Sequence, residues 1–243
     1  MLNPKKLPLG SKCFVEDMSD LFGPWVPDAM IDHVFALMAM RPDVTFQVLT
    51  KRADRAADFL TSNAGLDTRE EAVASCAQHI GKIVWDSRGS DSANYGGIPR
   101  TSAAEVANRR VWPGWPLKNV LVGFSAENQP WFDKRWPHAE RLAKAGWKTW
   151  ASFEPLLGPI GVAQAMPADD DRGALSWAVA GGESGAGYRP CEVEWIADLA
   201  EQFKAAEVPL FVKQDSGRFP GKQGRIPLDV WNLKQHPEVT VSA

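Results

Sequence analysis

One pattern constrains this chain more than any other. A short β-rich apolar run ends in polar residues, a helical pattern follows, and the unit recurs. The first run is KCFVEDMSD, 12–20. After it, VPDAMIDHVFALMAMRP predicts a helix with Met30, Ile31, Val34, Leu37 and Met38 on one face. Pro27 suits the first turn of that helix and Pro42 closes it. The second run is TFQVLTKR, 45–52, with a short helix through Leu60. The third is NVLVGFSAEN, 119–128, with a helix over about 131–145 and Gly146 where a C-terminal cap belongs. The fourth is KTWASFEPLLGP, 148–159. The fifth is a strand over about 175–180 that ends in AGGESGAGYRP, followed by a helix carrying Val193, Ile196, Leu199, Ala200 and Phe203. The sixth is PLFVKQDSG, 209–217.

Alternating strands and helices imply a parallel sheet with crossover helices. Six units fit a doubly wound sheet or a partial barrel. Every run ends in polar residues, whereas an open sheet concentrates its site near one switch point. The expected fold is therefore α/β, a partial TIM-like barrel of about six parallel strands with outer helices, in a single domain. Residues 61–116 break the rhythm. They read as an insertion, with a helix near 70–79 and a stretch, DSRGSDSANYGGIPRTS, rich in Ser, Gly and Asp. The Asp run in MPADDDRG, 166–173, reads as a solvated face, and the tail from about 217 shows no clear element.

In a barrel, the ends of these runs share one mouth. The first run offers Asp17, Ser19 and Asp20; the second, Thr50, Lys51 and Arg52; the third, Ser125, Glu127 and Asn128. The fourth offers Glu154, the fifth Gly181, Gly182, Glu183 and Ser184, and the sixth Lys213 and Gln214. This mixed acid–base mouth suits a small polar or zwitterionic ligand. Lys51 and Arg52 could hold a carboxylate or phosphate, or could form ordinary ion pairs. Glu154 follows an apolar run and precedes Pro155, so it needs a cationic partner or a raised pKa, and Lys213 is the natural partner. Gly181 and Gly182 allow close backbone approach by a ligand or a tight turn. The four histidines fall in helices, the insertion or the tail, and no HExxH, P-loop or GxSxG motif occurs.

A net charge of −3 gives no global pull toward nucleic acid and leaves a local basic site open. No apolar stretch reaches the roughly 18 residues of a membrane span. Cys13, Cys76 and Cys191 are far apart, which implies reduced thiols in a cytoplasmic protein, with no disulfide framework and no metal site.

The ordered motifs FVEDMSDLFGPWVP, TFQVLTKRADR, NVLVGFSAEN, ASFEPLLGPI, AVAGGESGAGYRP and LFVKQDSG, with GRIPLDVWNLKQHP near the C-terminus, resemble the phage-associated gp-thirty-seven/gp-sixty-eight family. That family is a domain of unknown function similar to radical S-adenosylmethionine (SAM) enzymes. The resemblance implies SAM or a similar polar ligand at the strand ends, in a phage or bacterial host cell. The GGE of AGGESG is similar to the motif that holds the SAM amino group, although here it follows the fifth run and not an early one. Family members carry clustered N-terminal cysteines for a [4Fe–4S] cluster, and this chain carries none. The resemblance thus implies a truncated or split protein whose cysteine segment lies upstream in cis or on a partner chain, or one that has lost the cluster. Two other readings stay open. One is a cluster-free enzyme using Glu154 or Glu183 with Lys213; the other is a non-catalytic binding module using Trp85, Trp112 and Trp115.

Overall fold

Strands β1 (Lys12–Val15), β2 (Thr45–Thr50), β5 (Val120–Ser125), β6 (Lys148–Phe153), β7 (Trp177–Gly181) and β8 (Leu210–Gln214) form one sheet in that order. They correspond to the six expected runs. The structure is a computed structural model and describes residues 8–15, 19–62, 68–86, 94–95, 98–99, 114–167 and 174–238. Sheet order follows chain order without a reversal, so there is no switch point. This is the α/β topology of six parallel strands in a half-barrel, and not that of a doubly wound sheet. Two short strands, β3 (Asn94–Tyr95) and β4 (Ile98–Pro99), pair antiparallel within the insertion.

The described residues divide into two compact units, one of residues 8–48 and 58–121, the other of 49–57 and 122–238. In the first unit, β1 pairs with β2 from Lys12↔Thr45 to Val15↔Val48. Helix α1 (Asp28–Ala39) packs on α3 (Arg69–Asp86). The buried face of α1 is Ile31, Asp32, Phe35, Ala36, Met38 and Ala39, while Met30 is exposed. This corrects the expected face. The rotation brings Asp32 to Arg69, whose Nη1 donates to it at 2.9 Å, and Phe35 to Phe22 and Phe59. Apolar spacing alone does not register that ion pair.

Helix α3 is longer than expected from the insertion. It starts on a capping box: the Thr68 N–H donates to Glu71 Oε2 and the Glu71 N–H donates to Thr68 Oγ1. Of the three candidate tryptophans, Trp85 and Trp112 fall outside the residues whose side chains are described. Trp115 packs against Phe35 and donates from Nε1 to the Leu60 carbonyl, so it consolidates this unit's core.

In the second unit, helix α4 (Gln129–Lys144) packs on β6, and α5 (Val193–Ala205) on β7 and β8. Alternate strand residues (Phe124, Ala151, Phe153, Ala178, Ala180, Leu210, Val212) join Phe132, Trp136, Ile196, Leu199 and Phe203 in one core. The period-two and period-3.6 patterns meet there. Gly146 closes α4 in a Schellman motif. Its φ is 92°, its N–H donates to the Ala143 carbonyl, and the Trp147 N–H donates to Leu142. On the other sheet face, Trp150 packs against Trp177 with the rings tilted by 36° and centroids 4.9 Å apart, and Gly123 leaves the room Trp150 needs.

The segment after residue 217 is more ordered than its polar composition suggests. A short helix, α6 (Leu228–Trp231), leads into an antiparallel bridge between Lys234 and Phe211 of β8. Trp177 Nε1 also donates to the Gln235 carbonyl. The segment satisfies the open edge of β8, a tertiary role that leaves no periodic trace.

Candidate functional site

The candidate site residues from the second run onward lie in the second unit, at or just past the C-terminal ends of its strands. Ser19 and Asp20 of the first run belong to the first unit, where Asp20 Oδ1 accepts the Phe22 N–H at 3.0 Å. Asp17, its neighbour in the first run, lies outside the described residues.

At the end of β2, Thr50 Oγ1 accepts the Arg52 N–H and turns the chain into α2 (Ala53–Thr61). Lys51 reaches across to Glu127, with Nζ 2.9 Å from Oε1. The other oxygen of Glu127 takes Arg135 Nη1 at 3.0 Å, and the same nitrogen donates to the Ser125 carbonyl at 2.7 Å. Glu127 and Arg135 are both buried. Burial alone would raise the Glu127 carboxyl, but the Lys51 hydrogen bond, a backbone hydrogen bond and the Arg135 and Lys51 charges outweigh it and hold it below the usual range. Asn128 caps α4, its Oδ1 accepting the Trp131 N–H. Sequence reasoning missed Arg135, nearly two helical turns inside α4. The signal available was a cation in a helix rich in buried aromatics.

At the end of β6, Glu154 precedes a cis peptide to Pro155. Its Oε2 lies 3.0 Å from Lys213 Nζ, and its Oε1 accepts from Gln214 Nε2 at 3.1 Å. Lys213 and Gln214 are adjacent, so in a regular strand they would point to opposite faces. The β7–β8 ladder explains the convergence. Ala180 pairs with Val212, but Gly181 pairs with Gln214, so the register shifts and Lys213 is the extra residue of a bulge. The bulge breaks the alternation and aims both side chains at one carboxylate.

Burial raises the Glu154 carboxyl above its ordinary value, with the Lys213 charge and hydrogen bond opposing. Gln214 is fully engaged. Nε2 also donates to the Gly182 carbonyl at 2.9 Å, and Oε1 accepts the Gly221 N–H at 2.8 Å.

Gly181 and Gly182 serve close packing against the chain itself. A Cβ on Gly182 would lie 2.2 Å from the Ser216 nitrogen, and one on Gly181 would lie 3.1 Å from the Gln214 carbonyl. Ser184 bridges to Gly217, extending the β7–β8 pairing beyond the strands. Glu183 is taken up within its own loop. It receives Nε and Nη2 of Arg189 at 2.8 and 2.9 Å, and the Arg189 N–H at 2.7 Å. The Arg189 side chain and N–H hold its carboxyl down at about 2. A carboxylate so held stays ionised and is a poor proton donor. The parallel clamp on β8 was not foreseen. Buried Asp215 receives Arg225 Nε, Nη2 and N–H and the Ser216 N–H, and Gly224 is needed to admit it.

Residues 1–229 match the family described as "Protein of unknown function (DUF5131)". The chain belongs to that family. No curated protein and no solved structure matches it.

Whether this DUF5131 chain could hold an iron–sulfur cluster can be tested on its thiols. Cys13 lies on β1 and Cys76 on α3, while Cys191 belongs to the other unit. Among the described residues no group of three His, Cys, Asp or Glu side chains could hold a metal. Burial, with the Asp215 charge, pushes the Cys191 thiol up to about 12, whereas a cluster ligand must be a thiolate. The donor set does not fit a cluster. Among the described residues, no helix is long and apolar enough to cross a membrane.

Proposed function

We propose that this DUF5131 protein binds a small zwitterionic ligand of the SAM type at the strand C-termini of its second unit. One observation carries the reading: a largely buried carboxylate, Glu154, is fixed against a half-exposed lysine, Lys213, at a strand end. A ligand ammonium would meet Glu154, whose two oxygens each accept one bond from Gln214 or Lys213. A ligand carboxylate would meet Lys213, which spends one of three donors on Glu154. The Lys51–Glu127 pair offers the same two charges at β5. The resemblance to radical-SAM-like phage proteins supports the ligand class. Bound there, SAM would supply a carbon activated by its sulfonium. Radical chemistry would need further thiolates, from an upstream segment or a partner chain, because Cys13, Cys76 and Cys191 are not the closely spaced set a cluster requires.

Calorimetric titration tests the reading. SAM binds, 5′-methylthioadenosine, which lacks the amino-acid group, binds far more weakly, and Glu154→Gln lowers SAM affinity roughly tenfold or more. Equal binding of the two compounds, or no binding of either, sinks it. A second reading rests on the raised Glu154 carboxyl: a cluster-free enzyme in which Glu154 exchanges a proton with substrate and Lys213 steadies its anion.

A further inference from the structure

The loop that follows β8 has a composition and a mounting that the ligand site does not use. From Lys213 to Arg225 the chain reads KQDSGRFPGKQGR. Its only carboxylate, Asp215, is buried and consumed by Arg225. Lys213 is paired with Glu154. Arg218 and Lys222 remain, both exposed, and neither has a carboxylate partner among the described residues. Between them stands Phe219, 63% exposed, with the Arg218 guanidinium 5.7 Å from its ring centre. Tyr188, also exposed, lies on the 183–189 loop, which pairs with this one.

This exposure does not come from a loose loop. The Gly221 N–H is held by Gln214 Oε1, and the Lys222 carbonyl by the Asp215 N–H. Arg225 Nη2 donates to the Cys191 carbonyl at 2.6 Å. The Gly217 N–H and carbonyl pair with Glu183 and Gly185 of the neighbouring loop. The backbone is therefore fixed on both sides while an aromatic ring and two cations project to solvent. The ring is left in water on a pinned loop, and the unmatched charge favours an anion beside it.

We propose that this loop is a docking platform for single-stranded nucleic acid, in which Phe219 stacks on a base and Arg218 and Lys222 take the flanking phosphates. Interleaved cations and exposed aromatics are what an unpaired strand requires, because its bases are free to stack and its backbone is a polyanion. A duplex hides the base faces, so an exposed ring between two cations favours an unpaired strand. The proposal is independent of the ligand reading at Glu154.

Fluorescence anisotropy of the full chain with a labelled oligothymidine of about 12 nucleotides tests it. Expected is binding that weakens steeply with salt, and that is stronger than for the matching duplex. Phe219→Ala weakens oligonucleotide binding about 5- to 100-fold and leaves heparin binding unchanged. Arg218→Ala with Lys222→Ala weakens both and flattens the salt dependence by about two phosphates. All three side chains are exposed, so thermal melting should not change and confirms folding. The proposal is overturned by absence of oligonucleotide binding, by binding that Phe219→Ala and the double variant leave intact, or by equal loss of heparin and oligonucleotide in Phe219→Ala.

Discussion

Gln214 Nε2 donates to Oε1 of Glu154 at 3.1 Å while Gln214 Oε1 receives the Gly221 N–H at 2.8 Å. One buried carboxamide thus orients the carboxylate at the end of β6 and ties down the loop after β8. The loop, which its own backbone bonds also hold, and the Glu154–Lys213 pair have this carboxamide in common.

The Glu154 carboxyl should titrate above the ordinary glutamate range, because burial outweighs the Lys213 charge. In the window between its ordinary and raised values, the native state holds more protons than the unfolded state. Stability contributed by Glu154 is therefore present at lower pH and is lost as pH rises through that window. Carboxyl NMR on glutamate-labelled protein reads the midpoint directly. Lys213→Met should move it further up, since the remaining influence is burial. A midpoint that stays put or falls would show that Lys213 does not govern this group.

Gly182→Ala should destabilise the fold by at least about 3 kcal/mol, because its Cβ would lie 2.2 Å from the Ser216 nitrogen and 2.7 Å from its Cα. That corresponds to a fall in Tm on the order of 10 °C. Gly181→Ala, whose nearest contact is 3.1 Å, should cost clearly less. Thermal melts of the two variants side by side check the order; a neutral Gly182→Ala would mean the two loop backbones do not pack as described.

Glu207→Gly should stabilise. Helix α5 ends in a Schellman motif, with the Glu207 N–H bonded to Lys204 and the Val208 N–H to Phe203. Glu207 holds the left-handed position there, at φ 56°. A side chain costs about 1 kcal/mol in that conformation and glycine does not pay it. Tm should rise about 2–4 °C. A lower Tm would refute this account of the cap.

Much of the fold was legible. The six runs became the six sheet strands, and α5 buries Ile196, Leu199, Ala200 and Phe203 as its spacing predicts. Where the reading failed, a polar contact across elements had decided the outcome. Asp32 turned α1 toward Arg69, and the edge of β8 drew in the chain around Lys234. The site was legible as a set of polar residues at strand ends, but not as a set of pairs. Glu183 looked equivalent to Glu154 until Arg189 was seen to close on it.

Sequence alone determined the alternation of parallel strands and helices, since hydrophobic period is a local property written in neighbouring residues. It also placed Glu154 and Lys213 at strand ends. Only the tertiary structure decided that Lys213 and Gln214 would meet the same carboxylate. That depends on one extra residue between the Ala180–Val212 and Gly181–Gln214 pairs, and strand register is fixed by packing between distant segments, not by either strand's own sequence.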